Sequence, residues 1–170
     1  MRLFIFKIKK INVMTKLFFK KAIIAGLIAG AVFMMLQMIM VPVFIGGSPW
    51  APPRMIAAII LGKHVLPMPP RPAKFDMGVM MVAMMLHFMM SIIYAIIIGW
   101  LCRNLSLGIS VLLGAVIGLI IYFINFYGFT VVFPWFAMAR TWVTIFSHVM
   151  FGVVAAFSFK KLFHPITISS

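Results

Sequence analysis

From Asn104 to Ala139 the chain carries no charged residue. A soluble domain of 170 residues leaves too much surface exposed to hide such a run, and two further charge-free runs, Ala22–Pro53 and Met77–Cys102, accompany it. Charged residues make up 9% of the chain and hydrophobic ones 65%, against roughly a quarter and about half in soluble domains. Mean hydropathy is +1.21. The chain is therefore an integral membrane protein.

A span needs about 20 apolar residues. Reading between charges gives four: Ala22–Ile45, Met77–Cys102, Leu107–Phe126 and Thr141–Phe159. The fold class is an all-α bundle of four transmembrane helices. "YGFTVVFPWFAMA" is left over after span three and reads as an interfacial or re-entrant piece. In the long first loop, "RMIAAIILGK" is too short to cross and reads as an interfacial helix, begun after Pro52-Pro53 and stopped at Gly62. The "PMPPRP" that follows reads as an extended connector. Trp50 and Trp135, beside Pro49 and Pro134, stand where interfacial aromatic anchors are expected.

The 15 Lys and Arg face one acid, Asp76. In a soluble protein this balance would point to nucleic acid; here the cations flank spans and meet anionic lipid headgroups. Ten of them fall on the tail, second-loop and C-terminal side, so both termini are expected in the cytoplasm. Residues 1–21 form a basic segment, and because Met14 makes as good a start as Met1, residues 1–13 are either an untranslated, mis-called extension or, if translated, a piece lying at the membrane surface. A single acid leaves no carboxylate pair for hydrolytic chemistry, no nucleophile–base pair is evident, and the chain is read as not an enzyme. With one cysteine there is no intramolecular disulfide; Cys102 is either an acylation site or, the plainer reading, a small apolar filler.

The polar residues inside the spans repeat. "GLIAGAVFMMLQ" holds Gly26, Gly30 and Gln37; "GAVIGLIIYFIN" holds Gly114, Gly118 and Asn125 at the same spacing. Pro49-Trp50 follows the first and Pro134-Trp135 the second. "HFMMSIIYA" at His87 then matches "HVMFGVVAA" at His148, with Ser91 opposite Gly152. This reads as two parallel-repeat helix pairs, residues 22–102 and 103–161, followed by a tail at 162–170. At 1.5 Å per residue His87 lies about 16 Å and His148 about 11 Å below the outer ends of their spans. A polar crevice lined by Gln37, Asp76, His87, Ser91, Tyr94, Asn125, Arg140, Thr144 and His148 is expected, since lipid contact would strand these groups. The five glycines, Gly26, Gly30, Gly114, Gly118 and Gly152, are expected to let helices pack closely.

Four readings of this zone stand side by side. Its residues can serve only as interhelical hydrogen bonds, as in a structural subunit of a larger membrane complex. They can form a transport-like path for a small solute or proton, with Asp76 and Arg140 paired at its mouth. His87 and His148 can hold haem as axial ligands in a redox protein. The 17 methionines can bind a soft metal, although they fall on all helix faces and fit flexible packing better, so no metal site is assigned. A homo-oligomer or a membrane partner is compatible with each, and nucleic acid with none.

At His87-x3-Ser91-Ile92, Pro134-Trp135 and His148 the chain resembles the YagU-like group of small four-span bacterial inner-membrane proteins. The likeness covers the four spans. It implies a bacterial inner-membrane location and supports the histidine and Pro-Trp positions as sites, without supplying an activity. The scarcity of acids departs from that group.

Overall fold

No glycine or proline interrupts the chain before Ala25, and the backbone uses that freedom. In the computed structural model, which describes residues 2–67 and 73–162 (only the backbone for 2–12), helix α1 runs unbroken over Arg2–Met40. The basic segment is thus continuous with span one, and the expected boundary at residue 21 is no break in the helix. Pro42 lacks an N–H and cannot continue the regular ladder. The helix widens there into a single π turn, Val41–Ile45, closed by Gly46 at φ 80°, whose N–H reaches the Val41 carbonyl at 3.1 Å.

Helix α2, Ala51–Leu61, starts with Pro52 and Pro53 in its first turn and ends at Gly62 (φ 88°). It packs against the next long helix, α3 (Met77–Cys102). Ala57 and Ala58 pack with Val65 against Val79 and Ala83 of α3, and Met55 is buried against Tyr122, Phe126 and Phe136. Arg54 fastens the returning loop by donating to the carbonyls of Val65 and Lys74 at 2.8–3.0 Å, and the Ser48 hydroxyl donates to the Ala73 carbonyl at 2.7 Å. The proline connector expected over 67–72 lies mostly outside the described residues.

Helix α3, Met77–Cys102, opens with Asp76 as its N-cap: Oδ1 accepts the Val79 N–H at 2.9 Å. Helix α4, Leu107–Phe123, is capped by Ser106 and runs on through a π turn, Ile124–Gly128, and a 3-10 turn, Phe129–Val131. A second 3-10 segment, Pro134–Ala139, folds back beneath α2 and leads into α5, Trp142–Leu162. The expected re-entrant piece is therefore a folded-over cover at the end of the bundle. Four helices are long and apolar enough to cross a membrane, and no strand occurs among the described residues. The protein is an all-α, four-span membrane protein whose α1, Arg103, Lys160 and Lys161 share one end, with α2 at the other.

Two close crossings organise the bundle. A Cβ on Gly26 would stand 2.8 Å from the Ile92 Cα and 3.0 Å from the Ala95 Cβ; one on Gly30 would stand 2.7 Å from the Ser91 hydroxyl. Where α4 meets α5, a Cβ on Gly114 would run into the Gly152 carbonyl and stand 2.8 Å from the Ala156 Cβ, and one on Gly118 would strike the His148 carbonyl. In each pair the first glycine, Gly26 or Gly114, thus faces the small residues four and eight places after a histidine. Bilayer helices associate through packing rather than a hydrophobic drive, and bare glycine backbone gives that packing its closest approach. Helix α1 also packs along α5, whereas α3 and α4 meet at few places.

Candidate functional site

Where α3 and α4 diverge, below α2, the helices enclose a cavity of about 730 Å3. That volume falls within the ~300–1,000 Å3 of sites for drug-sized molecules. Most of its wall is apolar. Its polar residues are Gln37 of α1, His87, Ser91 and Tyr94 of α3, Asn125 at the end of α4, and Thr141, Thr144 and His148 at the start of α5, with Ser48 near the mouth. Among the described residues, none that lines it carries a formal charge. Seven of the nine crevice residues expected from sequence therefore meet in one place.

The other two do not. Asp76 is occupied as the cap of α3, because its carboxylate is the nearest acceptor for the free N–H groups of the first turn. Arg140 turns away from it. Its Nε donates to the Phe126 carbonyl at 2.8 Å, an Nη donates to the Thr130 hydroxyl at 3.0 Å, and the guanidinium lies 4.2 Å from the Tyr127 ring centre. The irregular backbone after α4 leaves carbonyls without helical partners, and they hold Arg140 where the expected ion pair would have drawn it out. Both residues lie off the cavity wall.

The two histidines differ in how they are held. The His148 Nδ1 lies 2.8 Å from the Thr144 carbonyl. A carbonyl can only accept, so in the neutral ring Nδ1 carries the hydrogen and Nε2 is the acceptor. The Asn125 amide nitrogen then donates to Nε2 at 3.3 Å, and the Tyr94 hydroxyl donates to Asn125 Oδ1 at 3.0 Å. This relay fixes every member in one sense and joins α3, α4 and α5. The His87 Nε2 lies 2.9 Å from the Gly30 carbonyl and by the same reasoning donates to it. The His87 ring makes no other hydrogen bond among the described residues, which leaves the Nδ1 lone pair bare.

Phe33 stands against both imidazoles, stacked on His87 at 5.4 Å and edge-on to His148 at 4.8 Å. Bis-imidazole haem does not fit this arrangement. Phe33 packs against both rings, and both nitrogens of His148 are already engaged. No group of His, Cys, Asp or Glu suited to a metal occurs among the described residues.

Gln37 is 4% exposed, its amide nitrogen has no hydrogen-bond partner among the described residues, and its side chain lines the cavity. Phe33, Phe126 and Phe136 complete the inner wall and were not evident from sequence. The π turn at the end of each glycine helix was not evident either, although Pro42 marked the first. Among the anchors, Trp135 donates from Nε1 to the Met55 carbonyl at 3.0 Å, tying the cover to α2, and Trp50 packs edge-on to Phe75 at 5.0 Å. Pro49 precedes Trp50 at the turn into α2, and Pro134 opens the cover segment. Cys102 is fully buried and sits 3.6 Å from the Ser110 carbonyl, a packed filler and no acylation site.

The cavity has a frame. The Trp135–Met55 bond ties the cover segment to α2, and the Tyr94–Asn125 bond ties α3 to the turn after α4. Met89, Ile59, Phe129 and Met138, all exposed, form its rim on the side where α3 and α4 part. Met89 is about 18 Å along α3 from its first residue at 1.5 Å per residue, well within a hydrocarbon layer of about 30 Å.

No protein-family model, curated protein or solved structure matches the chain.

Proposed function

We propose that this is a small transport-like or accessory protein of a bacterial inner membrane that holds an uncharged small molecule in the cavity beneath α2. The buried amide of Gln37, unpartnered and bordering an otherwise apolar space, carries the reading. A buried polar group without a partner costs about 1–3 kcal/mol, and a membrane interior supplies no water to relieve it. Intramembrane polar groups without a structural partner are functional candidates by default. The rim of exposed apolar residues suits exchange with the bilayer, and a binding role without catalysis suits a cavity with no charged group among its described lining residues.

Several finer statements belong to the same proposal. The matching surroundings of Gly26 and Gly114 favour two parallel-repeat helix pairs. The cation distribution favours cytoplasmic termini in contact with anionic headgroups, with α2 facing outward. The resemblance to the YagU-like group agrees with that location.

Mass spectrometry of small molecules extracted with the protein from native membranes tests the reading. A defined molecule should accompany the wild-type chain and be lost from Met90→Trp, which fills the cavity wall. A partner protein co-purifying equally with both forms, and no small molecule with either, would favour a structural subunit instead.

A further inference from the structure

The open hydrogen-bonding groups of the cavity specify more than an apolar occupant. Gln37 brings an amide N–H that needs an acceptor. His87, its Nε2 hydrogen committed to the Gly30 carbonyl, offers only the Nδ1 lone pair and needs a donor. The remaining polar groups are largely satisfied within the protein. The Ser91 hydroxyl donates to the His87 carbonyl at 2.8 Å, Thr141 and Thr144 share a hydrogen bond at 3.1 Å, and Tyr94, Asn125 and His148 close the relay. The two free groups come together through Phe33. It stacks on His87 and lies one helical turn before Gln37 on α1, and both residues line the cavity.

We infer that the cavity takes a neutral lipid-soluble alcohol, whose single hydroxyl accepts from the Gln37 amide and donates to His87 Nδ1 while its hydrocarbon body fills the apolar space towards Met89 and Phe129. This deepens the proposed small-molecule reading and rests on it. One hydroxyl oxygen satisfies both groups at once. A ketone or ether supplies the acceptor and leaves Nδ1 bare. A carboxylate supplies no donor for Nδ1 and brings a charge to a wall with no cation among its described residues. The rim admits such a molecule sideways from the bilayer, so it need not cross water.

The test uses the full chain in lipid nanodiscs, titrated with farnesol, with farnesyl methyl ether and with palmitate. The alcohol should bind saturably at one per chain, with the ether and palmitate at least tenfold weaker. Gln37→Leu should weaken the alcohol at least fivefold and weaken the ether too, because both oxygens accept from the Gln37 amide. The same variant should unfold at a higher temperature than wild type without ligand, because it removes a stranded amide; a purely structural glutamine would give the opposite shift. Met90→Trp should abolish binding of the alcohol. Equal affinity for alcohol and ether overturns the hydroxyl assignment and leaves the cavity a binding site. Saturable binding that survives Met90→Trp, or no saturable binding of any of the three, overturns the assignment and the small-molecule reading together.

Discussion

The relay Tyr94–Asn125–His148 depends on one backbone acceptor. The Thr144 carbonyl sets the His148 tautomer, and the tautomer sets which way the Asn125 amide and the Tyr94 hydroxyl must point. Nitrogen-15 NMR should therefore find the hydrogen on Nδ1 of His148 and on Nε2 of His87; the same tautomer at both would contradict the geometry. Asn125→Ala strands two groups and Tyr94→Phe only one, at about 1–3 kcal/mol per stranded group. Thermal unfolding in detergent should thus show a larger loss for Asn125→Ala. Seven of nine crevice residues were legible because, on helices this apolar, a polar side chain has only the bundle interior to go to. Asp76 and Arg140 were misread because opposite charges at neighbouring helix starts invite pairing. The capping signal, an Asp directly before an apolar run, was present in the sequence and had the stronger claim. Phe33 gave no signal, since an aromatic ring among apolar residues does not reveal which face it occupies.

At the level of the helices, glycine has two meanings in this chain. Gly118 and Gly152 lie where backbone meets backbone, whereas Gly108, in the first turn of α4, has open space around its missing side chain. Gly118→Ala should destabilise by about 1–3 kcal/mol, the usual range for overpacking. Gly108→Ala should be neutral or stabilise by up to about 0.5–1 kcal/mol through its better helix propensity. Unfolding by denaturant on the two variants checks the sign of each effect. The small-x3-small spacing marked the crossings correctly. What spacing could not give was the course of the chain after Phe123, where α4 passes through π and 3-10 turns before folding under α2. Hydropathy is uniform there, and the turning is set by Arg140 and Trp135 reaching back to carbonyls of Phe126 and Met55.

For the whole molecule, four spans put the start of α1 and the end of α5 on the same side of the membrane. With Cys102→Ser as background, single cysteines at Lys74 and Arg103 should label from opposite sides. A cytoplasmic placement of the termini predicts that Lys74→Cys reacts with an impermeant maleimide in intact cells and Arg103→Cys only after lysis. Span number and class were legible from charge-free length alone. The position of the cavity was not, since it arises where α3 and α4, which touch at few places, fail to meet along the rest of their length, and pairwise distances between distant segments leave no trace in local composition.

That failure to meet has a mechanical consequence. Glycine contacts weld α1 to α3 and α4 to α5, and the long α1–α5 seam binds the two blades like the spine of a book. The turn after Cys102 and the bonds between Cys102 and Ser110 join α3 to α4 at one end, so only their edges beside the cavity can part, and a tyrosine–asparagine clasp holds them there. Any cargo moving through the side of this protein would turn that page about the spine, leaving both glycine welds undisturbed.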